Sequence, residues 1–193
     1  MICAAALVLL LDASSSIVPR EWREQIEATA AALESREVED AIRRGGPMAV
    51  AAVAFADIPG RMLGWHVLAS GADAAAFAAT LRDAPRGLSG GTGLGAAIGY
   101  AHRMMGEAPC EADRYVVDLS TNGEAPEGDT AAARDAAQAD GVTINVISVG
   151  RMAQPESLRE HAVTGDGFLI HAADWSRYAA LVRRKVILET AAR

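Results

Sequence analysis

The first apolar run of the chain ends sharply at a carboxylate. Residues 7–11 are all leucine or valine, and Asp12 and a group of serines follow directly. Because the run shows no polar alternation, it predicts a strand buried on both faces, as in the middle of a parallel sheet. Further strands are predicted at 48–56, 61–68, 115–120, 142–149 and 167–171. The second and third strands are joined by a short turn, so they are predicted to form an antiparallel edge hairpin.

Segments with apolar residues at helical spacing separate most of these strands. The segment that opens at Pro19 carries Trp22, Ile26 and Leu33 on one face and charged residues on the other. Helices are predicted from residue 19 onward and at 38–44, 72–84, 94–107, 130–140, 156–163 and 174–190. This alternation predicts an α/β fold, a Rossmann-like three-layer αβα domain with a mostly parallel six-stranded sheet and one antiparallel edge strand. With 193 residues, the chain is predicted to form a single domain over 1–193.

A polar cluster lies at the carboxyl end of the first predicted strand, where open α/β sheets bind their ligands. Asp12, Ser14 and Ser16 offer only oxygen atoms, which suit magnesium, manganese or calcium better than zinc or copper. We therefore interpret them as the first part of a metal site. The alternative, that the two serines only cap the following helix, stays open for this loop taken alone.

Three separate loops match a known pattern. The first has Asp12, Ser14 and Ser16 as Asp-x-Ser-x-Ser, the second has Thr92 within Gly-Gly-Thr-Gly-Leu-Gly, and the third is Thr-Asn-Gly at 121–123. With these loops the chain resembles a von Willebrand factor type A domain, whose metal-ion-dependent adhesion site (MIDAS) combines such a first loop with a threonine and an aspartate. The resemblance covers nearly the whole chain. It is closest to a bacterial group of such proteins that have Gly-Gly-Thr-x-Ile/Leu-Gly-x-Ala-Ile and Asp-Val-Ser-Gly-Asp-Gly stretches and whose function is not established.

The resemblance implies a metal site with one unusual member. Its ligand set would be Asp12, Ser14, Ser16, Thr92 and Asn122. Asn122 stands where the pattern has an aspartate, so it keeps an oxygen acceptor but loses a negative charge and adds two donors. We therefore expect magnesium, or manganese or calcium, to bind weakly in the free protein. Asp118, Glu124 or deamidation of Asn122 are alternative sources of the lost charge.

The function implied by the resemblance is metal-dependent protein recognition without catalysis. Neutral hydroxyls leave a divalent cation under-compensated, so an open position on the metal attracts an Asp or Glu carboxylate of a partner protein. Two alternatives remain: a metal-dependent hydrolase or phosphotransferase that uses Asp12, and a scaffold with a degenerate metal site. Against an enzyme, the sequence has no nucleophile elbow and no phosphate-cradling loop that ends in Gly-Lys-Ser/Thr.

The charge and composition of the chain disfavour some classes of binding partner. The net charge is −7, and the 18 basic residues are scattered, which disfavours nucleic acid and anionic membranes. Asp118 is interpreted as a structural carboxylate bound by backbone donors, and the basic triplet at 183–185 as a solvated helix face. No apolar run reaches the ~18 residues of a membrane-spanning helix.

The amino terminus and the cysteines bear on the compartment. The apolar residues 2–11 lack the preceding basic residues and the cleavage site of a secretory signal, so a cytoplasmic location is expected, or a periplasmic or secreted one if a leader precedes this sequence. In a reducing cytoplasm, Cys3 and Cys110 are expected to be buried or free thiols. They would come close if their strands were neighbours.

Overall fold

A computed structural model of the protein describes residues 1–190, and a mixed six-stranded sheet forms its centre. The strands of the chain are β1 Ile2–Cys3, β2 Ala5–Asp12, β3 Met48–Phe55, β4 Pro59–Leu68, β5 Glu111–Ala112, β6 Tyr115–Thr121, β7 Val142–Val149 and β8 Leu169–Ala172. The main sheet has the order β4-β3-β2-β6-β7-β8, in which only the edge pair β3–β4 is antiparallel. The predicted sheet and its edge hairpin are therefore confirmed.

The central strand is β2, as its apolar run predicted. All eight of its residues are buried, and it pairs in parallel with β3 on one side and β6 on the other. Leu7, Leu9 and Leu11 belong to the core on one face of the sheet, whereas Val8 and Leu10 belong to the core on the opposite face. This alternation explains why the run contains no polar position before the strand ends.

Helices cover both faces of the sheet and complete the three-layer fold. They are α1 Pro19–Leu33, α2 Arg36–Gly45, α3 Gly71–Asp83, α4 Leu94–Met105, α5 Asp129–Ala139, α6 Pro155–His161 and α7 Tyr178–Thr190, the last preceded by a 3-10 turn over Trp175–Arg177. α1, α2, α3 and α7 contribute to one core, and α4, α5 and α6 to the other. No helix within residues 1–190 is both long and apolar enough to cross a membrane.

Two expectations about side chains were wrong. Lys185, in the triplet predicted to be a solvated face, is fully buried because the α7 positions Val182, Val186 and Glu189 all face the protein interior with it. Asp118 is a structural carboxylate, but it accepts a hydrogen bond from the Lys185 ammonium group rather than from the predicted backbone donors.

The thiols predicted for Cys3 and Cys110 are instead joined in a disulfide. The reason is a parallel two-stranded ribbon that the sequence did not predict, in which β1 pairs with β5 and Cys3 lies opposite Ala112. This pairing brings the two Cα atoms to 5.9 Å, within the usual range for a disulfide.

Candidate metal centre

The three loops of the predicted site meet at the carboxyl edge of the sheet. Ser16, Thr92 and Asn122 line one open pocket of about 370 Å³. The first and third loops follow β2 and β6, which are neighbours, so their meeting is a direct result of the strand order. The second loop is bound to the residues that follow β3, since the Gly93 N–H donates to the Ala56 carbonyl. Asp12 and Ser14 are buried beneath, with 0% and 1% of their surface exposed.

Asp12 holds the floor of the site together. Its Oδ1 accepts a hydrogen bond from the Ser14 backbone N–H at 2.8 Å, and its Oδ2 accepts one from the Thr121 hydroxyl at 2.6 Å. The same Thr121 hydroxyl oxygen accepts the backbone N–H of Gly123 at 3.0 Å. The carboxylate therefore links the first and third loops and is shielded from solvent.

A short chain of hydrogen bonds connects the site's hydroxyls to its amide. Ser14 Oγ lies 2.9 Å from Ser16 Oγ, and Ser16 Oγ donates to Asn122 Oδ1 at 2.8 Å. The Asn122 side-chain NH₂ in turn donates to the Ser16 backbone carbonyl at 3.3 Å. Asn122 therefore binds the first loop through both ends of its amide. An aspartate at this position could accept from the Ser16 hydroxyl but could not donate to the Ser16 carbonyl.

The second loop is held by its glycines and by Asp57. The Gly91 N–H donates to Asp57 Oδ1 at 2.8 Å, and the Gly93 N–H donates to the Ala56 carbonyl at 2.7 Å. Gly90 has φ +130°, and a Cβ there would lie 2.1 Å from Asp57 Oδ2, so a larger residue fits neither the backbone nor the space. The packing of the glycines against Asp57 leaves Thr92 next to Gly123 of the third loop. A Cβ added to Gly123 would lie only 3.7 Å from Thr92 Oγ1.

A buried polar network extends from the site toward α7. Gln25 donates from Nε2 to the Asp12 backbone carbonyl at 3.0 Å and accepts the Ser120 hydroxyl at 2.7 Å. Ser120 Oγ also lies 2.6 Å from the Tyr178 hydroxyl. Burial raises the pKa of Tyr178 far above its ordinary value, so its phenol stays neutral.

Sequence reasoning gave no role in the site to Gln25, Asp57 or Arg86, and it placed Thr121 in the third loop without assigning it a contact. The available signals were weak: Gln25 is a polar residue on the apolar face of α1, and Thr121 directly precedes the predicted Asn122. Of the alternative charge sources, Asp118 is bound to Lys185, whereas Glu124 lines the pocket and accepts the Gln154 side-chain NH₂ at 2.6 Å.

The donor set suits a hard cation. Within the described part of the chain, no group of three or more His, Cys, Asp or Glu side chains is placed to hold a metal ion, so this edge offers hydroxyl and amide oxygens with Asp12 as the buried carboxylate. Oxygen ligands of this kind fit magnesium, manganese or calcium. With Asp12 buried beneath the site and Glu124 bound to Gln154 at the pocket wall, few charged ligands are offered, so such a cation is expected to bind weakly.

The fold of the chain belongs to the class of von Willebrand factor type A domains. Similar solved structures include proximal thread matrix protein 1 from the mussel byssus with a zinc-occupied MIDAS motif (20% identity, TM-score 0.72, 97% of this chain and 46% of that chain). A von Willebrand factor type A protein from Catenulispora acidiphila has 21% identity and a TM-score of 0.68, and the match covers 97% of this chain and 43% of that chain. The conserved hypothetical protein BatB from Bacteroides thetaiotaomicron has 19% identity and a TM-score of 0.64, and the match covers 96% of this chain and 99% of that chain.

Within this class, the chain belongs to the family described as "Protein of unknown function (DUF1194)", whose model matches residues 2–193. No curated protein matches the sequence. The chain spans about half the length of the mussel protein and less than half of the Catenulispora protein, but nearly all of the BatB chain. At these identities the structural likeness establishes the fold.

Proposed function

We propose that this domain is a protein-binding module that holds a divalent cation, magnesium or manganese in the first place, at the pocket lined by Ser16, Thr92 and Asn122. The observation that carries the proposal is the meeting of three sequence-distant loops, each with an oxygen donor, above a buried carboxylate. The mussel relative, which has a zinc-occupied MIDAS motif, supports the same use of this edge of the fold.

The residues of the chain have separate tasks in this proposal. Ser14, Ser16 and Thr92 supply neutral hydroxyl oxygens toward the cation, and Asn122 supplies its amide oxygen. Asp12 keeps the first loop in place through its bonds to Ser14 and Thr121 and contributes the negative charge beneath the site. Once bound, the cation supplies an electrophilic position for a carboxylate of a partner protein, because this ligand set leaves its charge under-compensated.

The alternative of a phosphotransferase or hydrolase that uses Asp12 is less well supported. A nucleophilic carboxylate must reach its substrate, but Asp12 is fully buried and both of its oxygens accept hydrogen bonds. The hydroxyl chain above it separates the carboxylate from the pocket. We therefore propose no catalytic residue.

Replacing Asn122 by aspartate is expected to tighten manganese binding by about tenfold or more, because it adds a charged oxygen ligand. Isothermal titration of the wild type and Asn122→Asp with MnCl₂ measures this effect, and a Ser14→Ala, Ser16→Ala double variant should bind no manganese in either background. Gln154→Glu is the matched control, since it adds the same charge at the rim of the same pocket. If Gln154→Glu tightens binding as much as Asn122→Asp does, Asn122 is not a ligand.

Partner recognition is expected to need both the cation and an acidic residue. Peptides selected from a random display library in the presence of manganese should contain Asp or Glu, and their retention should fall at least about tenfold with chelator or on replacement of that residue by Asn or Gln. The Ser14→Ala, Ser16→Ala double variant should retain none of them. Peptides that bind equally well to this variant in chelator would instead support a metal-independent scaffold.

A further inference from the structure

Arg86 lies on the loop between α3 and α4, six residues before Thr92, and it reaches across to the first loop of the site. Its guanidinium donates to the Ala13 backbone carbonyl from Nη2 at 2.9 Å and from Nε at 3.2 Å. The same Nη2 donates to the Ser14 backbone carbonyl at 2.5 Å. The guanidinium also lies over the Trp22 ring of α1, 5.7 Å from its centroid. Among the described residues, no carboxylate forms an ion pair with Arg86.

A second set of bonds joins the same two loops. The Ser15 backbone N–H donates to the Gly90 carbonyl at 2.8 Å, and the Gly90 N–H donates to the Ser15 hydroxyl at 3.0 Å. Ser15 is the middle hydroxyl of the serine run, and it is not among the residues that line the pocket, whereas Ser16 is. The second loop therefore binds the first loop at two places: Arg86 contacts the Ala13 and Ser14 carbonyls, and Gly90 contacts Ser15.

We propose that Arg86 is a positioning residue that holds the Asp12–Ser16 loop against the Arg86–Gly93 loop, and so sets Ser14 and Ser16 relative to Thr92. This inference rests on the proposed cation site, although the contacts between the loops exist without it. A planar guanidinium reaches two neighbouring carbonyls at once, which the single ammonium group of lysine does less well. With its donors on backbone carbonyls rather than on a carboxylate, Arg86 fixes the backbone of the first loop directly.

The test compares Arg86→Met, Arg86→Lys and Arg103→Met with the wild type. Methionine keeps an unbranched apolar stem but removes the guanidinium, and with it every donor and the contact with the Trp22 ring. Arg103 is the matched control, because its guanidinium also lies over an aromatic ring, Tyr100, at 5.8 Å, and it belongs to α4 rather than to one of the three site loops. Two readouts are used: manganese affinity by titration, and amide hydrogen exchange of Ser15 and Gly90 in the metal-free protein.

In Arg86→Met we expect exchange at Ser15 and Gly90 to accelerate by about tenfold or more and manganese affinity to fall by a similar factor, as for the loss of a charged hydrogen bond. Arg86→Lys should lie between the wild type and Arg86→Met, and Arg103→Met should match the wild type. Exchange of the Leu9 amide in β2 should not change, since a general loss of stability would accelerate it as well.

Two results would overturn the assignment: unchanged exchange at Ser15 and Gly90 in Arg86→Met, or accelerated exchange with wild-type manganese affinity. If neither the wild type nor Asn122→Asp binds manganese, the proposed cation site fails. The exchange measurement then still decides whether Arg86 orders the two loops.

Discussion

Replacement of Lys185 by methionine is expected to reduce the free energy of unfolding by about 3–5 kcal/mol, because it removes the cation from a buried charge cluster. The Lys185 ammonium group is fully buried and donates to Asp118 on β6 and, at 2.8 Å, to Glu189 on the next turn of α7. Asp118 and Glu189 are also buried, at 5% and 3% exposure. Without Lys185, two carboxyl groups would share an apolar site with no compensating charge. Urea unfolding at neutral pH measures the loss.

The pH dependence of this cluster has a definite sign. Burial, and then the neighbouring Asp118, raises the pKa of Glu189 well above its ordinary value. A carboxyl group with a raised pKa in the folded state holds its proton there at pH values at which it has already lost it in the unfolded chain. The free energy of unfolding therefore falls as the pH rises from the unfolded-state pKa to the folded-state pKa. In Lys185→Met the pKa of Glu189 is expected to rise further, because the Lys185 charge that lowers it is removed. The variant should therefore regain stability relative to the wild type as the pH falls toward 5.

Two controls separate the cluster from other effects of the substitution. Arg184→Met removes a positive charge from the adjacent, exposed position of α7 and should change stability by less than about 0.5 kcal/mol. Adding Asp118→Asn to Lys185→Met removes one of the two unpaired carboxylates and should recover part of the loss. If Lys185→Met unfolds like Arg184→Met at every pH, the buried cluster does not contribute as proposed.

The main sheet was predictable because its strands are long enough to carry a pattern. The unbroken apolar run that ends at Asp12 gave the central strand, and the short turn before Arg61 gave the antiparallel edge. The ribbon of β1 and β5 was not predictable, since each strand has two residues and shows no periodicity. Its pairing depends on contacts between positions more than 100 residues apart.

Lys185 shows a different kind of failure. Three consecutive basic residues indicate a solvated face, but the helical period places Lys185 with Val182, Val186 and Glu189 on the buried side. No local pattern indicates the partner that makes this burial tolerable, because Asp118 lies 67 residues away on β6. Long-range charge pairing of this kind has no local signature.

The residues of the candidate site that belong to the motif were predictable, whereas the residues that hold the motif loops in place were not. The motif indicated Ser16, Thr92 and Asn122, which line one pocket, while their binding of a metal stays a prediction. Arg86 contacts backbone carbonyls, which any sequence offers, so no residue pattern marks it as a contact of the first loop. The same holds for Gln25, which binds the Asp12 carbonyl.

Replacing both Cys3 and Cys110 by alanine is expected to reduce the free energy of unfolding by about 2–5 kcal/mol. The upper end of this range is expected if the disulfide acts by restricting the unfolded chain, because the loop it closes is long. The disulfide spans 107 residues of sequence and joins the amino-terminal ribbon to the segment that precedes β6. Both cysteines are buried, so the substitution also removes packed sulfur atoms from the core. Thermal or urea unfolding under non-reducing conditions measures the difference.

Reduction separates the disulfide from the packing. Reduced wild-type protein should lose the part of the stability that is due to the disulfide, and the remaining difference from the double variant measures the packing of the sulfur atoms. The reductant should not affect the variant itself. Two free thiols in the non-reduced wild type, detected by alkylation and mass spectrometry, would contradict the pairing. A pairing that survives this test favours the periplasmic or secreted location over the cytoplasmic one, because disulfides form and persist in oxidising compartments. The partner carboxylate of the proposed site would then be sought on a protein of that compartment.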